Sequence, residues 1–376
     1  SLTAYLRAQG LEVIQRDLNV EVFDRVLTQD YLESAIQRLR DGSRRPSQHA
    51  SHVPQQTIHW ALEDGPHLAA QVEGAKATFR CGEGFYDGEA SLDAFEVIGQ
   101  SLSIASLPFY PAALELGRYL PAAAVDSSRT LLQAVRDPRH NMFIELYRRF
   151  VLPDIEREAP DLVGISFSTM DQMLAGMTLA HQIKEAGQAC HVTVGGPHIT
   201  MLREQHPRVP QLYDLIDSAV AFSGQVPLLR LVEALAGNGG GVDLQSVPNL
   251  IYRDGDRVRT NPVGKALSME ALPTPDFDGL PLDRYLTPRP VLPLLAARGC
   301  YYGKCAFCNQ GYGGDEPFSQ LSARRLVDQM LACKEQYGAR HIFFADEAIT
   351  PRNLREMSSR LEELAAPVEW ITCVRF

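Results

Sequence analysis

The chain has 376 residues, of which 45% are hydrophobic and 22% charged, and its formal net charge is −10. This length allows two domains with sizeable cores, and the composition is that of an ordinary globular protein. The excess of acidic residues disfavours a general nucleic-acid binder. The sequence contains no run of about 18 apolar residues, so we expect no membrane span. It shows no secretory signal pattern at its start. Seven cysteines, four of them dispersed, do not form a disulfide framework, so we expect a cytoplasmic protein.

The amino-terminal segment predicts a helix that begins near Leu2 and stops at Gly10, followed by a strand over residues 11–14. Within the segment over residues 40–150, residues 40–58 are polar and irregular, and residues 60–140 contain several prolines and mixed periodicities. We interpret them as an insertion that is mostly helical in its second half.

Strands and helices alternate regularly in the middle of the chain. The predicted helices cover residues 142–158, 171–185 and 226–236, and the predicted strands cover residues 162–167, 190–194 and 218–222. Such alternation is typical of a parallel, doubly wound α/β sheet, and it predicts a Rossmann-like domain over residues 1–241.

A proline-rich segment over residues 242–290 is interpreted as a linker with a hairpin at Asp254-Gly255. The α/β pattern resumes at Val291. Its predicted elements are strands over residues 291–297, 341–344 and 368–374 and a helix over residues 321–337.

Three cysteines, Cys300, Cys305 and Cys308, lie within nine residues, directly after the apolar run that begins at Val291. A structural zinc site needs four protein ligands, and a cubane iron–sulfur cluster is normally held by four thiolates. Because no fourth cysteine or histidine follows at ligand spacing, the pattern indicates a cluster with one iron left open. A zinc site or metal-free thiols are the alternatives.

Polar and glycine-rich turns follow three consecutive strands of the middle region. They contain Ser166 to Thr169, Gly195 to His198, and Ser223 to Gln225. The carboxyl ends of parallel strands bind ligands in open α/β sheets, and the helix that follows each turn favours phosphate. Each turn by itself also fits an ordinary strand-to-helix connection.

The cysteine segment resembles the radical S-adenosylmethionine (SAM) enzymes, whose usual spacing is Cys-x3-Cys-x2-Cys with an aromatic residue before the last cysteine. Phe307 holds that aromatic place, whereas four residues rather than three separate Cys300 from Cys305. The resemblance implies a 4Fe-4S cluster on the three cysteines, SAM bound to the open iron, and a partial (β/α) barrel over residues 291–376. It also implies SAM contacts from Phe307, Asp346 and Glu347, the last two of which otherwise form a solvated acidic turn.

The upstream turns resemble the cobalamin-binding domain of cobalamin-dependent radical SAM enzymes. The family's Gly-Gly-x-His turn is matched at residues 195–198, whereas its Gly-Glu-Gly-Glu stretch is replaced by Ser-Gly-Gln-Val at residues 223–226. None of the ten histidines has an aspartate two residues before it, so base-off, His-off cobalamin is implied and His198 is a pocket residue. The implied cobalamin contacts are Asp17, Ser166, Ser168, Thr169, Gly195, Gly196, Pro197, His198, Gly224 and Gln225.

The resemblance implies a transferase that methylates an unactivated carbon of a small-molecule or peptide natural product, through methylcobalamin and a 5′-deoxyadenosyl radical. It also implies an electron donor such as flavodoxin or ferredoxin. Rearrangement or cyclisation by the same cofactors is the alternative reaction, and a non-enzymatic zinc- or corrinoid-binding regulatory protein is the alternative class. Since a full barrel takes roughly 200 residues or more, we expect the barrel to be truncated and the chain to be part of a longer enzyme.

Overall fold

The computed structural model describes residues 1–44, 53–237, 243–308, 318–346 and 348–374. These residues form two compact units. Unit 1 contains residues 1–16, 222–250 and 261–376, and unit 2 contains residues 17–221 and 251–260.

Both units contain helices and strands. The helices are α1 Leu2–Ala8, α2 Leu18–Val26, α3 Gln29–Arg44, α4 Gln55–Glu63, α5 Gly65–Arg80, α6 Gly82–Tyr86, α7 Gly88–Ser106, α8 Ser128–Val135, α9 Met142–Phe150, α10 Leu152–Glu158, α11 Met173–Glu185, α12 Pro197–Met201, α13 Gln225–Ala236, α14 Ala323–Tyr337 and α15 Pro351–Glu363. The strands are β1 Ala113–Leu114, β2 Tyr119–Leu120, β3 Leu162–Ser166, β4 His191–Gly195, β5 Ser218–Val220, β6 Leu250–Asp254, β7 Arg257–Thr260, β8 Val291–Leu294, β9 Ala297–Arg298, β10 Ser319–Gln320, β11 His341–Phe344 and β12 Glu369–Ile371.

Unit 2 combines a helical layer with a five-stranded sheet of order β3-β4-β5-β6-β7. β3, β4 and β5 are parallel, and β6 and β7 form an antiparallel hairpin whose turn uses Gly255 at φ +60°. In the helical layer α3, α5 and α7 pack on one another around buried apolar side chains such as Val72, Ile98 and Leu102. Within the described sheet the parallel strands run in chain order, without the reversal that marks a topological switch point.

Unit 1 contains a three-stranded parallel sheet of order β12-β11-β8. α14 connects β8 to β11, and α15 connects β11 to β12, so this part of the chain is a β-α-β-α-β unit. Ser322 accepts the Arg325 N–H at the start of α14, and Gly338 ends that helix at φ +66°. The sheet packs on these helices through a core that includes Leu294, Leu326 and Phe344.

The sequence predicted most elements of the α/β regions, and those predictions are confirmed within three residues at either end. The predicted strand over residues 11–14 is wrong, because residues 11–17 form no strand. The Val13 carbonyl instead accepts hydrogen bonds from the Arg7 guanidinium at 2.6 and 3.2 Å. The predicted helix over residues 142–158 is two helices, since Pro153 lies in the first turn of the second.

The insertion also differs from its prediction, since its helices are concentrated in α4 to α7, before residue 107, rather than in its second half. No closed barrel is formed by the described residues. In the same residues, no helix is both long enough and apolar enough to cross a membrane. The fold is thus mixed α/β, and the domain limits predicted from the sequence remain predictions.

Candidate functional site

The three clustered cysteines lie on a loop that leaves the carboxyl end of β8. Cys300 and Cys305 are partly exposed, Cys308 is exposed, and none of them forms a disulfide. Gly299 and Gly303 adopt φ of +70° and +59°, a backbone conformation that favours glycine. The loop therefore presents three accessible thiols at the sheet edge where α/β enzymes hold their chemistry.

The base of this loop is closed by backbone pairing. β9 and β10, which precede and follow the cysteines in the chain, form an antiparallel pair in which Arg298 opposes Ser319. The Leu321 N–H adds a hydrogen bond to the Ala296 carbonyl at 2.8 Å. The two ends of the cysteine segment consequently lie side by side.

Asp346 also holds the start of the loop. Its side chain follows β11, is only 3% exposed, and accepts the N–H groups of Ala296 at 2.9 Å and Ala297 at 2.5 Å. Hydrogen bonds to a charged acceptor are about twice as strong as neutral ones, so this carboxylate is a firm anchor for the residues before Cys300. This role was not predicted, because sequence periodicity contains no signal for a contact between positions 50 residues apart.

Other predicted SAM and cluster residues have different outcomes. Phe307 is 93% exposed, and Lys304 nearby in the loop is also exposed. Glu347 lies outside the described residues. No three His, Cys, Asp or Glu side chains of the described residues converge on one point. The thiols thus fit an iron–sulfur cluster in ligand type, number and accessibility, and their sulfur atoms are not gathered around a centre.

One face of the three-stranded sheet in unit 1 carries an exposed row of apolar side chains beside the polar pair His341 and Glu369. Pro293, Phe343 and Ile371 are paired across the sheet, and Phe343 and Ile371 are 42% and 63% exposed. Parallel sheets are normally covered on both faces. The signal was present in the sequence, since β8 and β11 are apolar at consecutive rather than alternate positions.

The predicted cobalamin residues of β3 and β4 come together in unit 2. Ser166 pairs with Gly195, the Phe167 N–H donates to the Gly195 carbonyl at 2.8 Å, and the His198 N–H donates to the Phe167 carbonyl at 3.2 Å. The strand ends are therefore locked to each other. Ser166 and the next two predicted contacts, Ser168 and Thr169, have exposed side chains, and Pro197 is exposed as well.

Gly196 has a structural reason to be glycine. Its φ is +101°, and a Cβ atom there would lie 2.9 Å from the Phe167 nitrogen and closer still to the Phe167 carbonyl oxygen. The sequence pattern suggested that a cofactor approaches the backbone at this glycine. The close approach of the Phe167 backbone, which follows β3, already requires glycine at position 196. Burial lowers the pKa of His198, so its imidazole is neutral at pH 7.

The remaining predicted cobalamin contacts have local roles in other places. Asp17 caps α2 by accepting the N–H groups of Asn19 at 3.1 Å and Val20 at 3.3 Å. Gly224 is the residue before α13 and Gln225 is its first residue, and both belong to unit 1 rather than unit 2.

No family model matches the chain. Over 225 residues the chain is 27% identical to a protein of Pyrococcus horikoshii that is named an uncharacterized methyltransferase. The match covers 59% of this chain and 47% of that relative, so the chain spans about half the relative's length. The chain is thus similar to a methyltransferase.

Proposed function

We propose that this chain belongs to a cobalamin-dependent radical SAM enzyme that transfers a methyl group to carbon. The observation that carries the proposal is the loop of three accessible thiols at the carboxyl end of the first strand of a β-α-β-α-β unit. The similarity to a protein named as a methyltransferase supports the transferase part of the proposal. Carbon as the methyl acceptor, and a small-molecule or peptide substrate, follow from the family resemblance.

The fold assignment proposed for unit 1 is the beginning of a (β/α) barrel over residues 291–376. In such a barrel, helices cover the outer face of each strand and the inner face is packed. The sheet formed by β8, β11 and β12 has this asymmetry, with helices on one face and the uncovered apolar row of Pro293, Phe343 and Ile371 on the other. The same face also carries the polar pair His341 and Glu369 at the start of β11 and β12, so the apolar row lies toward the carboxyl ends of the strands.

Cys300, Cys305 and Cys308 are the proposed cluster ligands. When bound by these three thiolates, a 4Fe-4S cluster would supply the electron for reductive cleavage of SAM. Two nearby residues support the proposed cluster site. Lys304 would place a positive charge beside an anionic cluster, and Asp346 holds the backbone of Ala296 and Ala297, from which the cysteine loop begins. Glu347, the neighbour of Asp346, is the proposed acceptor for the SAM ammonium group.

The proposed cobalamin contacts are those of the Rossmann-like domain predicted over residues 1–241, with residues 242–290 as the linker. The joined ends of β3 and β4 offer exposed hydroxyl groups at Ser166, Ser168 and Thr169 beside the turn at Gly195 to His198. A neutral His198 suits the wall of a corrinoid pocket, because it adds no charge there. Asp17, Gly224 and Gln225 complete the proposed contacts.

Anaerobic reconstitution of the full chain with iron and sulfide tests the proposal. We expect about four irons per chain, a broad visible absorption band, and an electron paramagnetic resonance signal of the reduced protein that changes when SAM is added. Cys300→Ala, Cys305→Ala and Cys308→Ala should each lose this SAM-sensitive signal. Cys373→Ala, which changes an exposed cysteine of the same unit, should retain it.

Tight zinc binding by the same cysteines, with no cluster formed, would refute the enzyme and favour the regulatory alternative. Methyl transfer is then separated from rearrangement or cyclisation by SAM labelled with ¹³C in its methyl group. The label should enter the product when methyl transfer is the reaction. Its absence from a product that nevertheless forms with SAM cleavage would assign the rearrangement or cyclisation class.

A further inference from the structure

We propose that unit 1 carries a binding site for a phosphate-class oxyanion at the amino-terminal end of α13, where Gln225, Asn249 and Lys265 meet. These residues line a cavity of about 70 Å³. Since about 10–15 Å³ of such volume holds one water molecule, there is space for roughly five waters or for one phosphate-sized group. The other lining residues are Ser223, Val226, Pro227, Pro248, Gly264, Ala266 and Leu267.

Two buried amide side chains point to a ligand in this cavity. Gln225 is 8% exposed, and its side chain forms no hydrogen bond with any residue that the structure describes. Asn249 is 5% exposed, and its Oδ1 accepts the Gly264 N–H at 2.7 Å, which leaves its Nδ2 group as a donor without an acceptor in the described chain. Both amide side chains line the cavity, so oxygen atoms of a ligand there can accept hydrogen bonds from their NH2 groups.

The charge of the site favours an anion. α13 has 12 residues, and its preceding residue, Gly224, provides no side-chain cap for the free N–H groups of Gln225 and Val226. The positive end of the helix dipole therefore faces the cavity, as in many phosphate sites. Lys265 adds an exposed ammonium group that has no ion pair among the described residues.

The Lys265 ammonium, the N–H groups at the start of α13 and the two amide NH2 groups are donors, and no carboxylate lines the cavity, so the site suits an oxygen-rich anion better than a cation. The family resemblance suggested Gly224 and Gln225, whereas Asn249 and Lys265 were brought to the same cavity only by the folded chain. The phosphate has two possible sources, a free or substrate phosphoryl group and the phosphodiester in the nucleotide tail of cobalamin. Only the second source rests on the proposed function.

Isothermal titration of inorganic phosphate into the full chain tests the site itself. We expect saturable binding by the wild type and at least tenfold weaker binding by Lys265→Ala and Gln225→Leu. Lys334→Ala, which removes a lysine from the far end of α14, should bind phosphate like the wild type. The inference is overturned if the wild type shows no saturable binding, or if the two site variants bind as tightly as the wild type.

A second pair of titrations identifies the source. Cobinamide lacks the nucleotide and its phosphodiester, so Lys265→Ala should weaken cobalamin binding about tenfold and leave cobinamide binding unchanged if the tail occupies the site. Equal binding of cobalamin by Lys265→Ala and the wild type would assign the site to another phosphate. A chain that binds phosphate but neither corrinoid would contradict the proposed function and not the anion site.

Discussion

Removal of the Asp346 carboxylate should loosen the base of the cysteine loop and destabilise unit 1. The side chain is 3% exposed and accepts two backbone N–H groups, from Ala296 and Ala297. A hydrogen bond to a charged group contributes about 1.5–3 kcal/mol, so Asp346→Ala should lower the free energy of unfolding by roughly 3–6 kcal/mol. Asp346→Asn keeps one acceptor oxygen but turns an NH2 donor toward the other backbone N–H, so it should lose at least half as much.

Urea unfolding of unit 1 can be followed through Trp370, whose ring packs against Phe344 at a centroid distance of 6.2 Å. The measurement is best made in a Trp60→Phe background, because Trp60 belongs to unit 2. Asp328→Ala is the matched control. The Asp328 side chain is 47% exposed, and its oxygens lie 4.0 Å from the guanidinium groups of Arg324 and Arg360. Such a surface pair contributes about 0–1 kcal/mol.

Hydrogen exchange gives a local readout of the same anchor. The Ala296 and Ala297 amides should exchange slowly in the wild type and in Asp328→Ala, and much faster in Asp346→Ala. A free energy of unfolding for Asp346→Ala within about 1 kcal/mol of the wild type, together with slow exchange at both amides, would show that the carboxylate does not anchor the loop.

Two further predictions concern unit 2. Gly196→Ala should destabilise unit 2 by at least about 2 kcal/mol, because residue 196 has a positive φ and the added Cβ would collide with the Phe167 backbone. The control is Gly74→Ala, in α5, where an added Cβ meets no other atom and should stabilise unit 2 by about 0.5–1 kcal/mol. Urea unfolding at pH 7 compares the two, and a Gly196→Ala variant as stable as the wild type would contradict the crowding. Burial lowers the pKa of His206 to about 4, so as the pH falls the unfolded chain takes up a proton at this residue before the folded chain does. His206 alone should therefore cause unit 2 to lose about 2 kcal/mol of stability between pH 7 and pH 5. His206→Leu should remove that loss, whereas the control His59→Ala, at an exposed histidine, should keep it. If His206→Leu shows the same pH dependence of stability as the wild type, protonation of His206 is not its cause.

The interaction between two strand ends could not be predicted from either of them separately. The composition of the turn at Gly195 and Gly196 alone predicts a strand-to-helix connection. The requirement for glycine at position 196 depends on the Phe167 backbone, which comes from the preceding strand and reaches the turn only when β3 and β4 pair. The sequence therefore suggested a ligand at a position where packing is a sufficient explanation.

Local pattern by itself determined the strand and helix order around the cysteines, the caps of α14, and the presence of three thiols without a fourth ligand. These features depend on residues that are near one another in the chain, so their spacing is sufficient to predict them. The tertiary structure alone decided that Asp346 holds the Ala296 and Ala297 amides, that residues 11–17 form no strand, and that Asn249 and Lys265 join Gln225 at one cavity. Each of these depends on which distant backbone is present to pair or pack, and that choice is made only when the chain folds.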